Sequence, residues 1–106
     1  MKYSPKYYEE LKKRFPRTTA SFDQLGRDCA EEGPLDKKTQ LMVKLGVAIG
    51  IGSEGDVQNL AGQALAAGIS PVDLRHAVLL SVTTAGFPRM IVATQWIEEI
   101  IEQKAI

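Results

Sequence analysis

The sequence has little of several residue types on which protein chemistry often depends. It contains one cysteine and one histidine in 106 residues, and its 13 basic and 13 acidic side chains give a formal net charge of zero. One cysteine excludes an internal disulfide, and one histidine excludes a multi-histidine metal site within a single chain. A chain without net positive charge also lacks the electrostatic character of a nucleic-acid-binding protein. We therefore expect no metal, no cofactor and no nucleic-acid partner.

Long hydrophobic runs are also lacking. The longest, residues 41–52, is interrupted by Lys44 and is too short to cross a bilayer, and the first residues contain no apolar stretch of signal-peptide length. We therefore expect no membrane partner. Together with the single cysteine, these features predict a cytoplasmic protein. The length predicts one domain over residues 1–106.

The apolar residues recur at spacings of three and four, and no alternating strand pattern is present. We therefore predict an all-α fold of six helices. The predicted starts are Ser4-Pro5, Thr18, Asp36, Ser53, Ser70-Pro71 and Phe87-Pro88, and the predicted ends lie near Phe15-Pro16, Glu31, Gly52, Gly68 and Gly86.

The third predicted helix is apolar on nearly every side. Its hydrophobic residues are Leu41, Met42, Val43, Leu45, Val47, Ala48, Ile49 and Ile51. A helix without a polar face is typically buried all round. A chain of this size can hardly surround it, so we expect partner subunits to cover part of it. Gly46 and Gly50 lie four residues apart and allow another backbone to come close.

The run GPLDKKTQLMVKLGVAIGIGSEGDVQNLAGQALAAGIS, residues 33–70, forms a predicted helical hairpin. It resembles the hairpin of the carboxymuconolactone decarboxylase and alkylhydroperoxidase-D-like family. The flanking segments EELKKRFPRTTASFDQLGRDCAEEGPLDKKTQ and HAVLLSVTTAGFPRM are similar to the entry helices and closing helix pair of that family. The resemblance implies a six-helix orthogonal fold. It also implies a homotrimer or homohexamer with pockets between subunits near the hairpin.

The resemblance also implies where peroxide-reducing members carry their chemistry. Matching the Ala-Leu-Ala-Ala-Gly segment at 64–68 places their histidine at Leu60, their two cysteines at Ser53 and Asp56, and their glutamate at Leu41. None of these four side chains supplies a thiolate or an imidazole. The match excludes thiol peroxidase chemistry by the usual route of the family. It also weakens decarboxylation, which needs a group to bind the carboxylate and a general acid.

The polar residues that remain near the hairpin, or could approach it, are the candidate site residues. The catalytic candidates are His76, Asp56 and Glu54, and the ligand-binding candidates are Lys44, Ser53, Gln58, Asn59 and Arg89. His76 is the leading acid–base candidate, because an unperturbed imidazole titrates near neutrality. Lys44 and Arg89 are the cations that could hold an organic acid.

Each candidate also has a plainer structural explanation, which we favour. Glu54 and Asp56 stabilise a helix whose first turn contains them. Lys44 extends along the apolar helix to reach water or pairs with a carboxylate. His76 is a structural histidine, and Arg89 forms a surface ion pair.

Three hydrophobic or sulfur-containing residues complete the set. Cys29 falls on an apolar face of the second helix with Phe22 and Leu25, so we predict that it is a core residue. Phe87 and Trp96 are predicted to be core or interface residues.

Three functions follow from these residues. The first is a family member that has lost the redox centre and binds or acts on a small organic acid in a pocket between subunits, as a decarboxylase-like lyase if it is an enzyme. The second is a non-catalytic oligomeric structural or interaction protein. The third, which we rank last, is a peroxide-reducing protein that uses Cys29.

Overall fold

The computed structural model describes residues 5–104, which are helical nearly throughout and contain no strand. The helices are α1 (Pro5–Arg14), α2 (Pro16–Glu31), α3 (Lys37–Ile51), α4 (Glu54–Ala66), α5 (Pro71–Leu80), α6 (Val82–Ala85) and α7 (Phe87–Lys104). Six of these have ten residues or more, and α6 is a single turn of four residues. The all-α prediction of six substantial helices is confirmed. The predicted cap Ser4 lies outside the described residues.

Two of the predicted start signals account for the beginnings of α3 and α5. Asp36 Oδ1 accepts a hydrogen bond from the Thr39 backbone N–H at 2.8 Å, and Ser70 Oγ accepts one from the Asp73 N–H at 3.1 Å. Both side chains satisfy a backbone donor that the first turn of a helix leaves free. Gly52 and Gly68 take positive φ values of 72° and 92° where α3 and α4 end, conformations that other residues adopt at a cost.

The core lies between α3, α4, α5 and α7. Its largest fully buried side chains are Leu45 and Ile49 of α3, Val57 of α4, Leu74 of α5 and Ile97 of α7. The predicted core role of Trp96 is confirmed, since it packs against this cluster. The central α3–α4 hairpin thus packs against the two later helices, which also contact each other.

The α1–α2 hairpin leaves much of its apolar surface uncovered. Phe15, Phe22 and Leu25 are more than half exposed, and Cys29 is exposed as well. The prediction that Cys29 belongs to the core is therefore wrong for the single chain. The apolar face of α2 is real, but the other helices of the same chain do not cover it.

Two helix boundaries differ from the prediction. Helix α2 begins at Pro16, after Phe15, and not at a Thr18 cap. Proline suits the first helical position because its missing N–H has no partner to lose there. The predicted fifth helix stops at Leu80, because the Ser81 hydroxyl donates to the Val78 carbonyl oxygen at 2.6 Å and the chain then forms the separate turn α6.

The Asp36 cap gives a pH-dependent stability. The hydrogen bond from the Thr39 N–H lowers the pKa of Asp36 from 3.8, with a smaller contribution from Lys38. A carboxyl group whose pKa is depressed by folding stabilises the protein above its unfolded pKa, and this contribution is lost as the pH falls through the folded pKa. Asp36→Asn keeps a capping oxygen without a titrating group. We expect the melting temperature of the wild type to fall relative to Asp36→Asn below about pH 4. Parallel thermal melting profiles of the two proteins from pH 7 to pH 2.5 would contradict this assignment.

Candidate functional site

A cleft of about 1030 Å³ separates the α1–α2 hairpin from the α3–α4 hairpin. We call it the hairpin cleft. Its apolar lining includes Leu11, Phe22, Val47, Ile51 and Leu60, and its polar lining includes Tyr8, Asp23, Lys44, Asp56, Asn59 and Gln63. An apolar cavity with a few polar groups is the usual form of a small-molecule site.

Three of the candidate residues meet in the hairpin cleft. Lys44 comes from α3, while Asp56 and Asn59 come from successive turns of α4. Residues three apart on a helix share a face, so Asp56 and Asn59 lie on the same side of α4. Lys44 is exposed, and none of the ion pairs found within residues 5–104 includes it. The cleft thus combines a cation, a carboxylate and an amide over an apolar lining.

Ser53 and Asp56 are joined at the beginning of α4. The Ser53 hydroxyl donates to Asp56 Oδ2 at 2.8 Å, and Ser53 occupies the N-cap position without bonding a backbone N–H through its side chain. Glu54 and Asp56 both lie in the first turn of α4, where the positive end of the helix dipole stabilises acids. The structural explanation of these acids therefore fits their position.

His76 lies in a different part of the molecule. It lines a groove of about 730 Å³ between α3 and the α5–α6 segment, which we call the α5 groove, together with Lys38 and Asp73. The residues that line the hairpin cleft do not include His76. The structure therefore separates the imidazole from Lys44, Asp56 and Asn59.

Gln58 connects α4 to α7. The side chain is 4% exposed, and its Nε2 donates to the Trp96 carbonyl oxygen and to Glu99 Oε2, each at 3.1 Å. Its Oε1 has no hydrogen-bond partner among the described residues. Both bonds go to α7, so the structure gives Gln58 a packing contact away from the hairpin cleft.

Arg89 lies at the turn between α3 and α4. Its guanidinium group occupies the space that a Cβ on Gly52 would need. This position is at the carboxyl end of α3, where a cation is favoured by the helix dipole. The sequence offers Arg89 only as a candidate from elsewhere in the chain, and its spacing does not indicate that its neighbour is the αL glycine Gly52.

Leu41 and Leu60 are apolar side chains at the central hairpin. Leu41 is buried in the core, and Leu60 lines the hairpin cleft while packing against that core.

Among residues 5–104, no group of three histidine, cysteine, aspartate or glutamate side chains could hold a metal ion. Within the same range, no helix has the length and apolar character needed to cross a membrane.

The described residues form an all-helical fold in which a largely apolar cleft lies between two helical hairpins. A solved structure with this fold is apo-lpg0406, a carboxymuconolactone decarboxylase family protein from Legionella pneumophila. The match has a TM-score of 0.82 at 20% identity and covers 92% of this chain and 87% of that chain. No curated protein matches the sequence.

The model of the carboxymuconolactone decarboxylase family matches residues 16–99. The chain therefore belongs to the carboxymuconolactone decarboxylase family. The matched residues run from the start of α2 into the second half of α7 and include α3 and α4, which contribute Lys44, Asp56 and Asn59 to the hairpin cleft.

The contact between Gly52 and Arg89 can be tested by paired substitutions. Gly52→Ala and Gly68→Ala both introduce a side chain at positive φ, which costs about 1–2 kcal/mol of unfolding free energy. Only Gly52→Ala also displaces the Arg89 guanidinium, since a Cβ at Gly68 lies 3.6 Å from Lys38 Nζ. We expect Gly52→Ala to destabilise more than Gly68→Ala in urea denaturation. Adding Arg89→Ala to Gly52→Ala should then cost less than Arg89→Ala costs alone, and strict additivity would contradict the contact.

The exposure of Cys29 predicts rapid chemical labelling of the native protein. An accessible thiol reacts with a disulfide reagent at a rate set by its thiolate fraction, without prior unfolding. We expect native and urea-unfolded protein to react at similar rates. Labelling that occurs only after unfolding would show that Cys29 is covered in solution.

Proposed function

We propose that the protein binds a small organic acid in the hairpin cleft, with Lys44 as the group that holds the carboxylate. The observation that supports this most directly is the position of Lys44. It is a cation on an otherwise apolar stretch of α3, at a cleft large enough for a small molecule. Within the described ion pairs no carboxylate of the chain neutralises it. A carboxylate ligand with an apolar body complements both the cation and the lining.

Helix α4, on the same side of the cleft as α3, supplies groups that could orient such a ligand. The Asn59 amide can donate to a ligand oxygen, while Asp56 accepts from Ser53 and leaves further lone pairs for a hydroxyl or protonated group. Leu60 and Phe22 offer apolar contact to the rest of the ligand. The arrangement favours an acid with a second polar group rather than a simple fatty acid.

The residues at these positions also limit which reaction the cleft could support. Thiol peroxidase chemistry would need a redox pair at Ser53 and Asp56 and a proton relay at Leu60. These positions hold a hydroxyl, a carboxylate and a hydrocarbon. In the described chain, His76 lines the other groove, so the acid–base candidates of the hairpin cleft are carboxyl groups, and Asp56 is the one that also belongs to the predicted site. If the protein is an enzyme, a decarboxylase-like lyase step with Lys44 holding the carboxylate fits these residues better than peroxide reduction.

The second candidate function is that of a non-catalytic oligomeric structural or interaction protein. It is favoured by the exposed apolar side chains of α2 and α3, which include Phe22, Leu25, Val47 and Ile51. Subunits of a homotrimer or homohexamer that cover these faces would close the hairpin cleft from outside. The two functions differ in whether the closed cleft holds a ligand.

Binding is tested with two matched lysine substitutions. Lys44→Met removes the cation of the hairpin cleft, and Lys38→Met removes a cation of the α5 groove while leaving the hairpin cleft intact. The probes are benzoate, 4-hydroxybenzoate and adipate, titrated by calorimetry and by saturation-transfer NMR. We expect Lys44→Met to weaken binding about 10- to 100-fold, the range for a charge-assisted hydrogen bond of about 1.5–3 kcal/mol.

Lys38→Met serves as the control and should bind the probes like the wild type. Equal weakening by both substitutions would indicate a general charge effect, and it would contradict a site at Lys44. Failure of the wild type to bind any of the acids would favour the structural or interaction role.

A further inference from the structure

The α5 groove is a second cavity, separate from the hairpin cleft. The residues that line the two cavities have only Val43 in common. One wall of the α5 groove is α3 from Lys38 to Gly50, a distance of about 18 Å at 1.5 Å per residue. The other wall is α5 from Asp73 to Leu80, continued by α6. The groove is therefore elongated, and its volume of about 730 Å³ is that of a small-molecule site.

One end of the groove carries two opposite charges. Lys38 lies in the first turn of α3, and Asp73 lies in the first turn of α5. The Lys38 ammonium group reaches the turn that leads into α5, because a Cβ at Gly68 would lie 3.6 Å from its Nζ. Lys38 contributes to the lowered pKa of Asp36. Within residues 5–104, however, neither Lys38 nor Asp73 belongs to an ion pair, so both charges remain available to a ligand.

His76 lies beside these charges. It follows Asp73 by three residues, so the two side chains share a face of α5. Its imidazole is exposed and has no hydrogen-bond partner among the described residues. An imidazole has one N–H donor when neutral and two when protonated, and either form can donate to a carboxylate. The charged end thus contains two groups that can hold a carboxylate and one that can hold a cation.

Beyond the charged end, the groove is apolar. Lys38, Met42, Gly46 and Gly50 are spaced four residues apart and follow one another along one side of α3. Met42 packs against the core, as does Ala77 on the opposite wall. A Cβ at Gly46 or Gly50 would meet nothing within 4 Å, so this part of the groove is open. A strip of hydrocarbon therefore begins next to a cation and a carboxylate.

These charges select the class of ligand. Lys38 attracts a simple carboxylate, but Asp73 repels it, and the reverse holds for a simple amine. A molecule that carries both an ammonium and a carboxylate group forms a charge-assisted hydrogen bond with each. An apolar substituent on that molecule covers the hydrocarbon strip. An α-amino acid with an apolar side chain combines the three features.

We propose that the α5 groove binds an α-amino acid with an apolar side chain. Asp73 pairs with the ammonium group of the ligand, while Lys38 and His76 hold its carboxylate. The apolar side chain lies along Met42 and extends over Gly46. The proposal does not rest on acid binding in the hairpin cleft, since the acids proposed there need no ammonium group.

The test compares three probes that have the same eight-carbon chain. They are 2-aminooctanoate, octanoate and octylamine, titrated by calorimetry at pH 7 into the wild type and into Lys44→Met. The second protein lacks the cation of the hairpin cleft. In Lys44→Met, we expect 2-aminooctanoate to bind at least 10-fold more tightly than either singly charged probe. Each methylene added between 2-aminobutyrate and 2-aminooctanoate should tighten binding by up to about fourfold.

Matched substitutions locate the site. Lys38→Met and Asp73→Asn should each weaken the binding of 2-aminooctanoate about 10- to 100-fold. Lys37→Met is the control, because Lys37 is the neighbouring exposed cation of α3 and does not line the groove. Lys37→Met and Lys44→Met should bind this probe like the wild type. Circular dichroism checks that each variant remains helical.

Four results would overturn the inference. The first is a wild type that does not bind 2-aminooctanoate, and the second is equal affinity for the three probes in Lys44→Met. The third is equal weakening by Lys37→Met and Lys38→Met, which would indicate a general charge effect. The fourth is binding lost in Lys44→Met but kept in Lys38→Met, which would place the amino acid in the hairpin cleft.

Discussion

The structure depends on the way in which a small chain accommodates one strongly apolar helix. Leu45, Ala48 and Ile49 of α3 are buried among α4, α5 and α7, and this side of the helix anchors the core. On the other side, Val43, Val47 and Ile51 remain more than half exposed within the described chain. Burial of apolar surface is the main favourable contribution to folding and association. The same helix therefore organises the core, one wall of each groove and the surface on which we expect a partner.

The two flanks of α3 differ in chemistry. On one flank, Lys44 lines the hairpin cleft together with Asp56 and Asn59 of α4. On the other, Gly46 and Gly50 line the α5 groove, and a Cβ at either position would meet open space. A cation at an apolar cleft favours a charged ligand. Val47 and Ile51 line the same cleft as Lys44, so a partner that covers these exposed side chains would also close the cleft.

Local features of the fold were predictable from the sequence. The caps Asp36 and Ser70 and the positive-φ glycine Gly68 act over a few residues, so short motifs contain enough information to place them. The prediction of a Thr18 cap is wrong because two start signals compete within three residues, and Pro16 takes the first helical position.

Features that depend on tertiary packing are harder to predict from the sequence. Periodicity shows that a helix has an apolar face, but not whether the same chain covers that face, and so Cys29 was placed in the core. For a similar reason, the candidate residues do not all lie in one site. Lys44, Asp56 and Asn59 meet in one cleft, while His76 lines another groove and Gln58 turns toward α7. No spacing along the chain indicates which side of α3 each of these helices packs against.

The central claim is that the exposed apolar side of α3 is covered by further copies of the chain. Small-angle X-ray scattering of the wild-type protein tests it without any substitution. The single chain has a radius of gyration of 14.8 Å, and compact assemblies of three and six such chains give about 20 and 26 Å. We predict a radius and a forward-scattering mass that correspond to three or six chains. A value near 15 Å with the mass of one chain would contradict the account.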